Sequence, residues 1–288
     1  MDILGKRKIW YTISLVILII GLLFISFKGM NFGLDFRGGT LLEFKFDQEV
    51  SNEEVRTLLA DTGLIEGAKV QQTDEEGING VLIRTKELSP EQITEIQDIL
   101  SQSYPSTEVL RTDMVGPLIG QELRVKALLA LLFASIAIII YISIRFEFRF
   151  AVVAILTLLH DVFITLGVFA VIGREINTAF VAALLTIIGY SINDTIVIFD
   201  RIRENMKYYQ RKMSFVELAN KAVIDTLPRS INTSITTLIT ILAVYFFGGA
   251  SIKTFMLALF VGMFAGTYSS IFIASPLLVT WQNKISAK

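Results

Sequence analysis

Asp194 lies inside TAFVAALLTIIGYSINDTIVIFD (178–200), a stretch that is otherwise apolar and long enough to cross a bilayer. A carboxylate at that depth costs roughly 2.5–3.5 kcal/mol on insertion scales, so a chain that keeps one there offsets the cost with water, a counter-charge or a mobile proton. On a helix Thr186, Tyr190 and Asp194 recur every four residues and stack on one face, with Ser191 and Asn193 beside them. The stretch 150–172 carries His160 and Asp161 at its middle, and Thr157, Asp161 and Thr165 repeat the same spacing. A third stretch gives the longest run. Arg229, Asn232, Thr233, Thr236, Thr237 and Thr240 follow helical spacing, a polar stripe headed by a guanidinium.

Threonine hydroxyls alone can bond back to their own helix and serve only packing. With Arg229 at its head, the stripe is expected to line a hydrated path. A carboxylate that holds a proton while Arg229 is distant, and releases it as Arg229 approaches, is a switch. Its drive is the transmembrane field, about 2.3 kcal/mol per charge per 100 mV, plus about 1.4 kcal/mol per pH unit. Asp194 and Arg229 are the expected pair, and Asp161 is a further relay candidate.

Such residues need a membrane scaffold, and the composition supplies one. The chain has 288 residues, 53% hydrophobic and only 18% charged, with a mean hydropathy of +0.60. That composition implies several apolar spans plus some polar mass. A net charge of −1 gives no basic field for nucleic acid. The absence of cysteine excludes disulfides and thiolate metal sites, and the single His160 cannot build a histidine-rich centre. No GxxxxGK[ST] sequence is present, so no P-loop ATP site is expected. Neither enzyme activity nor a cofactor is expected.

Stretches near 9–27, 127–144, 150–172, 178–199, 230–248 and 254–275 are long enough to span. The first follows Lys6, Arg7 and Lys8, lacks a small-x-small cleavage pattern after it, and reads as an uncleaved anchor. With the N-terminus inside, fourteen Lys and Arg residues fall in inner segments, against Arg174 and Lys253 in the two short outer turns. That asymmetry puts both termini in the cytoplasm. The chain then divides into an N-terminal anchor (1–28), an external domain and linker (29–126), a five-helix bundle (127–275) with a cytoplasmic connector at 200–229, and a tail (276–288). In the connector FVELANKAV fits an amphipathic helix at the membrane surface, and Pro228 suits the first position of the fifth span. Gly262 and Gly266 form a GxxxG packing contact.

The external segment has soluble character. TLLEFKF (40–46) alternates as a half-buried strand does. Ser51 with Glu54, and Ser89 with Pro90 and Gln92, are helix-opening capping boxes. Residues 68–73 and 80–85 read as strands around the turn DEEGING, and 107–113 as a last strand. The order β-α-β-β-α-β is that of a ferredoxin-like α+β sandwich, expected here as a docking module. GLDFRGGT (33–40) precedes it, and its motif residues Asp35, Arg37, Gly38 and Gly39 fit a tight turn or close backbone approach.

The motifs GLDFRGGT (33–40), VGPLIGQEL (115–123), HDV (160–162), GREIN (173–177), GYSINDTIVIFDRIREN (189–205) and RSINTSITT (229–237) together closely resemble the SecD/SecF family of protein-export membrane proteins, within the resistance-nodulation-division superfamily. The resemblance is to its smaller subunit and covers nearly the whole chain. It implies a six-helix, multi-pass protein of the bacterial cell membrane that pairs with SecD. Such a complex assists the SecYEG channel and SecA by using the proton-motive force late in preprotein export. The resemblance makes Asp194 and Arg229 the proton-pathway residues, at an interface with SecD, with the lipid bilayer and the translocating preprotein as further partners. Two other readings stay open: a scaffold for SecD or the translocon that moves no protons, and a small-molecule exporter of the same superfamily.

Overall fold

A computed structural model of the chain describes residues 1–73, 79–209 and 212–286. The turn expected at 74–80 falls mostly outside them, as do Arg211 and Lys288. The chain forms two compact units, residues 32–128 and residues 1–31 with 129–288.

After the first long helix, α1 (Arg7–Lys28), the smaller unit opens with a one-turn helix, α2 (Leu34–Arg37). It continues as β1 (Gly39–Lys45), α3 (Asn52–Leu59), β2 (Lys69–Gln72), β3 (Gly80–Thr85), α4 (Pro90–Ser103) and β4 (Glu108–Val115). The antiparallel sheet runs β2-β3-β1-β4, the ferredoxin-like order that the sequence implies. Register follows the alternation. Leu42 faces Ile83, which faces Val70, and this row packs against Val55, Leu59, Ile96 and Leu100 of the two helices. Both capping boxes form in both directions: Glu54 N–H donates to Ser51 Oγ while Ser51 N–H donates to the Glu54 carboxylate, and Ser89 and Gln92 do the same. β4 is an edge strand whose Val109, Leu110 and Met114 are exposed.

The larger unit is helical. Among the described residues, six helical stretches are long and apolar enough to cross a bilayer. They are α1, α5 (Pro117–Arg145), α6 (Phe148–Ile172), α7 (Thr178–Tyr209), α8 (Phe215–Phe247) and a last stretch made of α9 (Ala250–Ser269), a π-helical segment (Ser270–Ala274) and α10 (Ser275–Ser286). Two close approaches fix the packing. Gly21 of α1 meets Gly167 of α6 so closely that a Cβ on Gly21 would lie 2.9 Å from the Gly167 Cα. On α9, Gly262 lies against Ile187 and Gly266 against Ser191, so the GxxxG pair does serve a helix seam, the one with α7. Asn31, just after α1, ties the GREIN turn: its amide donates to the Gly173 carbonyl at 3.1 Å, and its carbonyl accepts from Ile176 N–H at 2.8 Å.

Two expectations are corrected. Pro228 does not open a helix but sits inside α8, which begins at a Ser214–Glu217 capping box and runs unbroken to Phe247. A proline removes one backbone donor and strains one turn; the packing on either side is enough to carry α8 through it. The segment at 215–223 is not a surface helix. Leu218, Ala219, Ala222 and Val223 are buried in one cluster with Ile198, Phe199 and Ile202 of α7. The connector is thus a helical hairpin made of the extended ends of α7 and α8, stitched by Arg201 to Asp225 at 2.8 Å. The chain also stays helical past 275, and the wide π segment ends two residues before Pro276. A wider turn accommodates the missing proline N–H.

The N-terminal residues also belong to this unit. Ile3 and Leu4 are buried in the same cluster, and both of their N–H groups donate to the Asn220 side-chain carbonyl of α8.

Candidate functional site

The functional candidates fall into two groups, an outward face and a buried centre. On α7, Thr186 and Asn193 are exposed, and Tyr190 and Asp194 half-buried. On α8, Arg229, Asn232, Thr233, Thr236 and Thr240 are exposed and Thr237 half-buried. α7 and α8 pack together, so these residues give the chain an open polar face in the middle of two apolar helices. Thr186, Thr236, Thr237 and Thr240 donate to carbonyls of their own helices, as isolated threonines do.

Asp194 is the carboxylate of this face. Ser230 Oγ donates to its Oδ1 at 2.6 Å, while its Oδ2 is buried and has no partner among the described residues. Arg229 makes no ion pair with it, although its charge is near enough to act on it. The residue that holds Asp194 is therefore Ser230, which the stripe headed by Arg229 passes over. A signal was present in the sequence: Ser230 and Ser234 are four apart and share the other face of α8, where both are buried. Ser234 in turn meets Thr267 of α9 at 2.7 Å, and the Tyr190 hydroxyl reaches it at 3.5 Å.

Ser191 parts from its neighbours. It is buried on the inner side of α7, where its hydroxyl donates to Asp161 and not toward Asp194. Asp161 is only 1% exposed and belongs to a cluster with His160, Ser191 and Ser269. Thr157 and Thr165 share its face of α6, buried, each bonded to its own helix. The structure thus brings together Asp194, Arg229, Tyr190, Asn193 and the α8 stripe, and puts Asp161 and Ser191 elsewhere.

The profile described as "Protein export membrane protein SecD/SecF, C-terminal" matches residues 95–284, and that described as "SecD/SecF GG Motif" matches residues 23–50. The chain belongs to the SecD/SecF family. It is similar to the protein translocase subunit SecF of Thermobaculum terrenum, 42% identical over 99% of this chain and 95% of that one. It is also similar to the protein translocase subunit SecDF of Thermus thermophilus, 40% identical over 96% of this chain and 38% of that one. A crystal structure of SecDF from Thermus, titled a translocon-associated membrane protein, superposes with a TM-score of 0.90 at 38% identity, covering 98% of this chain and 39% of that one. SecDF in a super-membrane-facing form gives a TM-score of 0.73 at the same identity, covering 100% and 39%. The chain spans about two fifths of the length of these SecDF chains.

In this SecD/SecF chain the paired glycines have a steric role. Gly38 and Gly39 take φ of +74° and +120°, which L side chains rarely adopt. A Cβ on Gly39 would strike the Thr85 carbonyl oxygen, and one on Gly38 would lie 3.0 Å from the Pro117 Cα. Arg37 beside them is exposed, and Asp35 is half-buried in the one-turn helix.

Proposed function

We propose that this chain is the smaller subunit of a SecD–SecF complex of the bacterial cell membrane, and that the complex uses the proton-motive force to assist late preprotein translocation through the SecYEG channel with SecA. Asp194 carries the proton and Arg229 governs its release. The observation that carries the reading is the state of Asp194: a half-buried carboxylate in an apolar helix, with one oxygen held by Ser230 and the other unpartnered, on a polar face that the chain itself leaves open. An open polar face at membrane depth is costly unless a second protein or water covers it. Relatives in which SecD and SecF are one polypeptide support SecD as that cover. The bias of basic residues supports cytoplasmic termini and an outer location for residues 29–126.

The deciding experiment is Asp194→Asn in a strain that expresses the complex. Assembly with SecD is expected to persist, while the stimulation of export by a proton gradient is lost. Export that still responds fully to the gradient in that variant would reject the reading. One observation favours the scaffold alternative: the α8 threonines already satisfy their hydroxyls on their own helix, which is enough for a packing surface. Arg229→Ala separates the two, because a scaffold loses SecD binding with no change in proton flux and a transducer does the reverse.

A further inference from the structure

Away from the outward face, α6, α7 and α9 share a polar cluster. His160 Nδ1 lies 2.9 Å from Asp161 Oδ1. Asp161 Oδ2 accepts from Ser191 Oγ at 2.6 Å and from Ser269 Oγ at 2.9 Å. Donors from three helices therefore surround one carboxylate, and among the described residues no lysine or arginine pairs with it. His160 is 7% exposed, and its Nε2 is buried without a partner. Its ring stacks on Tyr268 of α9, with centroids 6.4 Å apart. The Tyr268 hydroxyl donates to the Trp10 carbonyl of α1 and accepts from Ser14. Tyr268 is the other titratable group at the cluster. From α7 come the uncharged Ser191 and Thr195, and Asp194 farther along α7 is bonded instead to Ser230 of α8.

A buried polar nitrogen with no partner, inside a cluster otherwise fully paired, calls for an explanation. The imidazole tautomer with hydrogen on Nδ1 donates to Asp161 and leaves Nε2 as a bare lone pair. The other tautomer would set Nδ1 lone pair against carboxylate oxygen and bury an unpaired N–H as well, which is doubly unfavourable. We infer that His160 Nε2 is a proton-accepting site, with Asp161 as its fixed counter-charge. On uptake, a hydronium proton forms an N–H bond at Nε2 and a water is left behind. The imidazole becomes imidazolium, and the couple passes from net charge −1 to 0. On release that N–H bond breaks and the proton returns to water. Asp161 keeps its three hydrogen bonds throughout. Because Ser269 is the last residue before the π segment and Ser191 abuts Gly266, the charge of this couple acts on the α7–α9 seam. This site stands independently of the role proposed for Asp194.

His160 is the single histidine of the chain, so histidine labelling with nitrogen-15 reports on it alone. The labelled full chain, reconstituted in phosphatidylcholine vesicles, is titrated by solid-state NMR from about pH 8 to about pH 5, the range in which imidazole changes charge. At the upper end one ring nitrogen is expected protonated, Nδ1, and one bare, Nε2. At the lower end the bare-nitrogen resonance disappears and both carry hydrogen. In Asp161→Asn that change is lost over the same range, and in Asp194→Asn it is retained. A hydrogen on Nε2 with a bare Nδ1 at the upper end, or a spectrum that does not move, overturns the inference. The unaltered chain decides the matter even if a variant fails to fold, and neither result depends on export activity.

Discussion

Ser230 distinguishes the two oxygens of Asp194, because its hydroxyl occupies Oδ1 and leaves the buried Oδ2 without a partner among the described residues. A hydrogen bond to a charged group is worth about 1.5–3 kcal/mol. Ser230→Ala is therefore expected to slow gradient-driven export about tenfold or more, while Ser230→Thr, which keeps a hydroxyl, stays within a few-fold. Export rates measured at matched gradients check this. At the GG motif, Gly39→Ala forces a Cβ against the Thr85 carbonyl at a φ of +120°. Strain and clash together should cost the smaller unit at least ~2 kcal/mol, seen as faster proteolysis of residues 32–128. Asp194 and the Arg229 stripe were legible because a charge in an apolar run stands out and helical spacing gathers its neighbours. Ser230 and Ser191 were not read correctly for a related reason. Spacing says which residues share a face, but not which helix that face meets, and each step of one residue turns a side chain by about 100°.

At the level of elements, the smaller unit was legible almost throughout. Its capping boxes, turn signals and alternating apolar residues are local, and each was placed by residues within a few positions of it. The bundle was harder. Hydropathy located six spans, yet it does not tell where a helix stops once it leaves the apolar zone, so the α7–α8 hairpin was missed. Pro228 misled because a helix start is a common proline position and nothing nearby in sequence reveals the packing that carries α8 through it. The α1–α6 contact gave no motif, since it uses one glycine from each helix. Gly167→Leu should push these helices apart at a cost of at least ~1–3 kcal/mol, measurable as a lower midpoint of thermal unfolding in detergent. An alanine at Ile172, exposed near the end of α6, should leave that midpoint unchanged.

For the whole molecule, the question is what covers the open side of the bundle. α5 leaves Leu132, Phe133 and Ile144 exposed, and the face of α7 and α8 is polar within otherwise apolar helices. The natural chain has no cysteine, so single cysteines can be placed without background. A cysteine at Thr233 or Thr236 is expected to cross-link to a cysteine-bearing SecD in membranes, and one at Ala219, buried against α7, is not. Equal cross-linking from both kinds of position would deny SecD this face. The hairpin adds a mechanical property. From Asp194 to Tyr209, α7 runs on as continuous helix, and α8 returns from Phe215 to Ser230, so the Asp194–Ser230 bond sits at the root of a paired arm. At 1.5 Å per residue the arm is about 22 Å long, and a tilt of about 10° at its root moves its tip by about 4 Å. The bond at the root and the packing of Leu218, Ala219, Ala222 and Val223 along the arm together hold that tip in place.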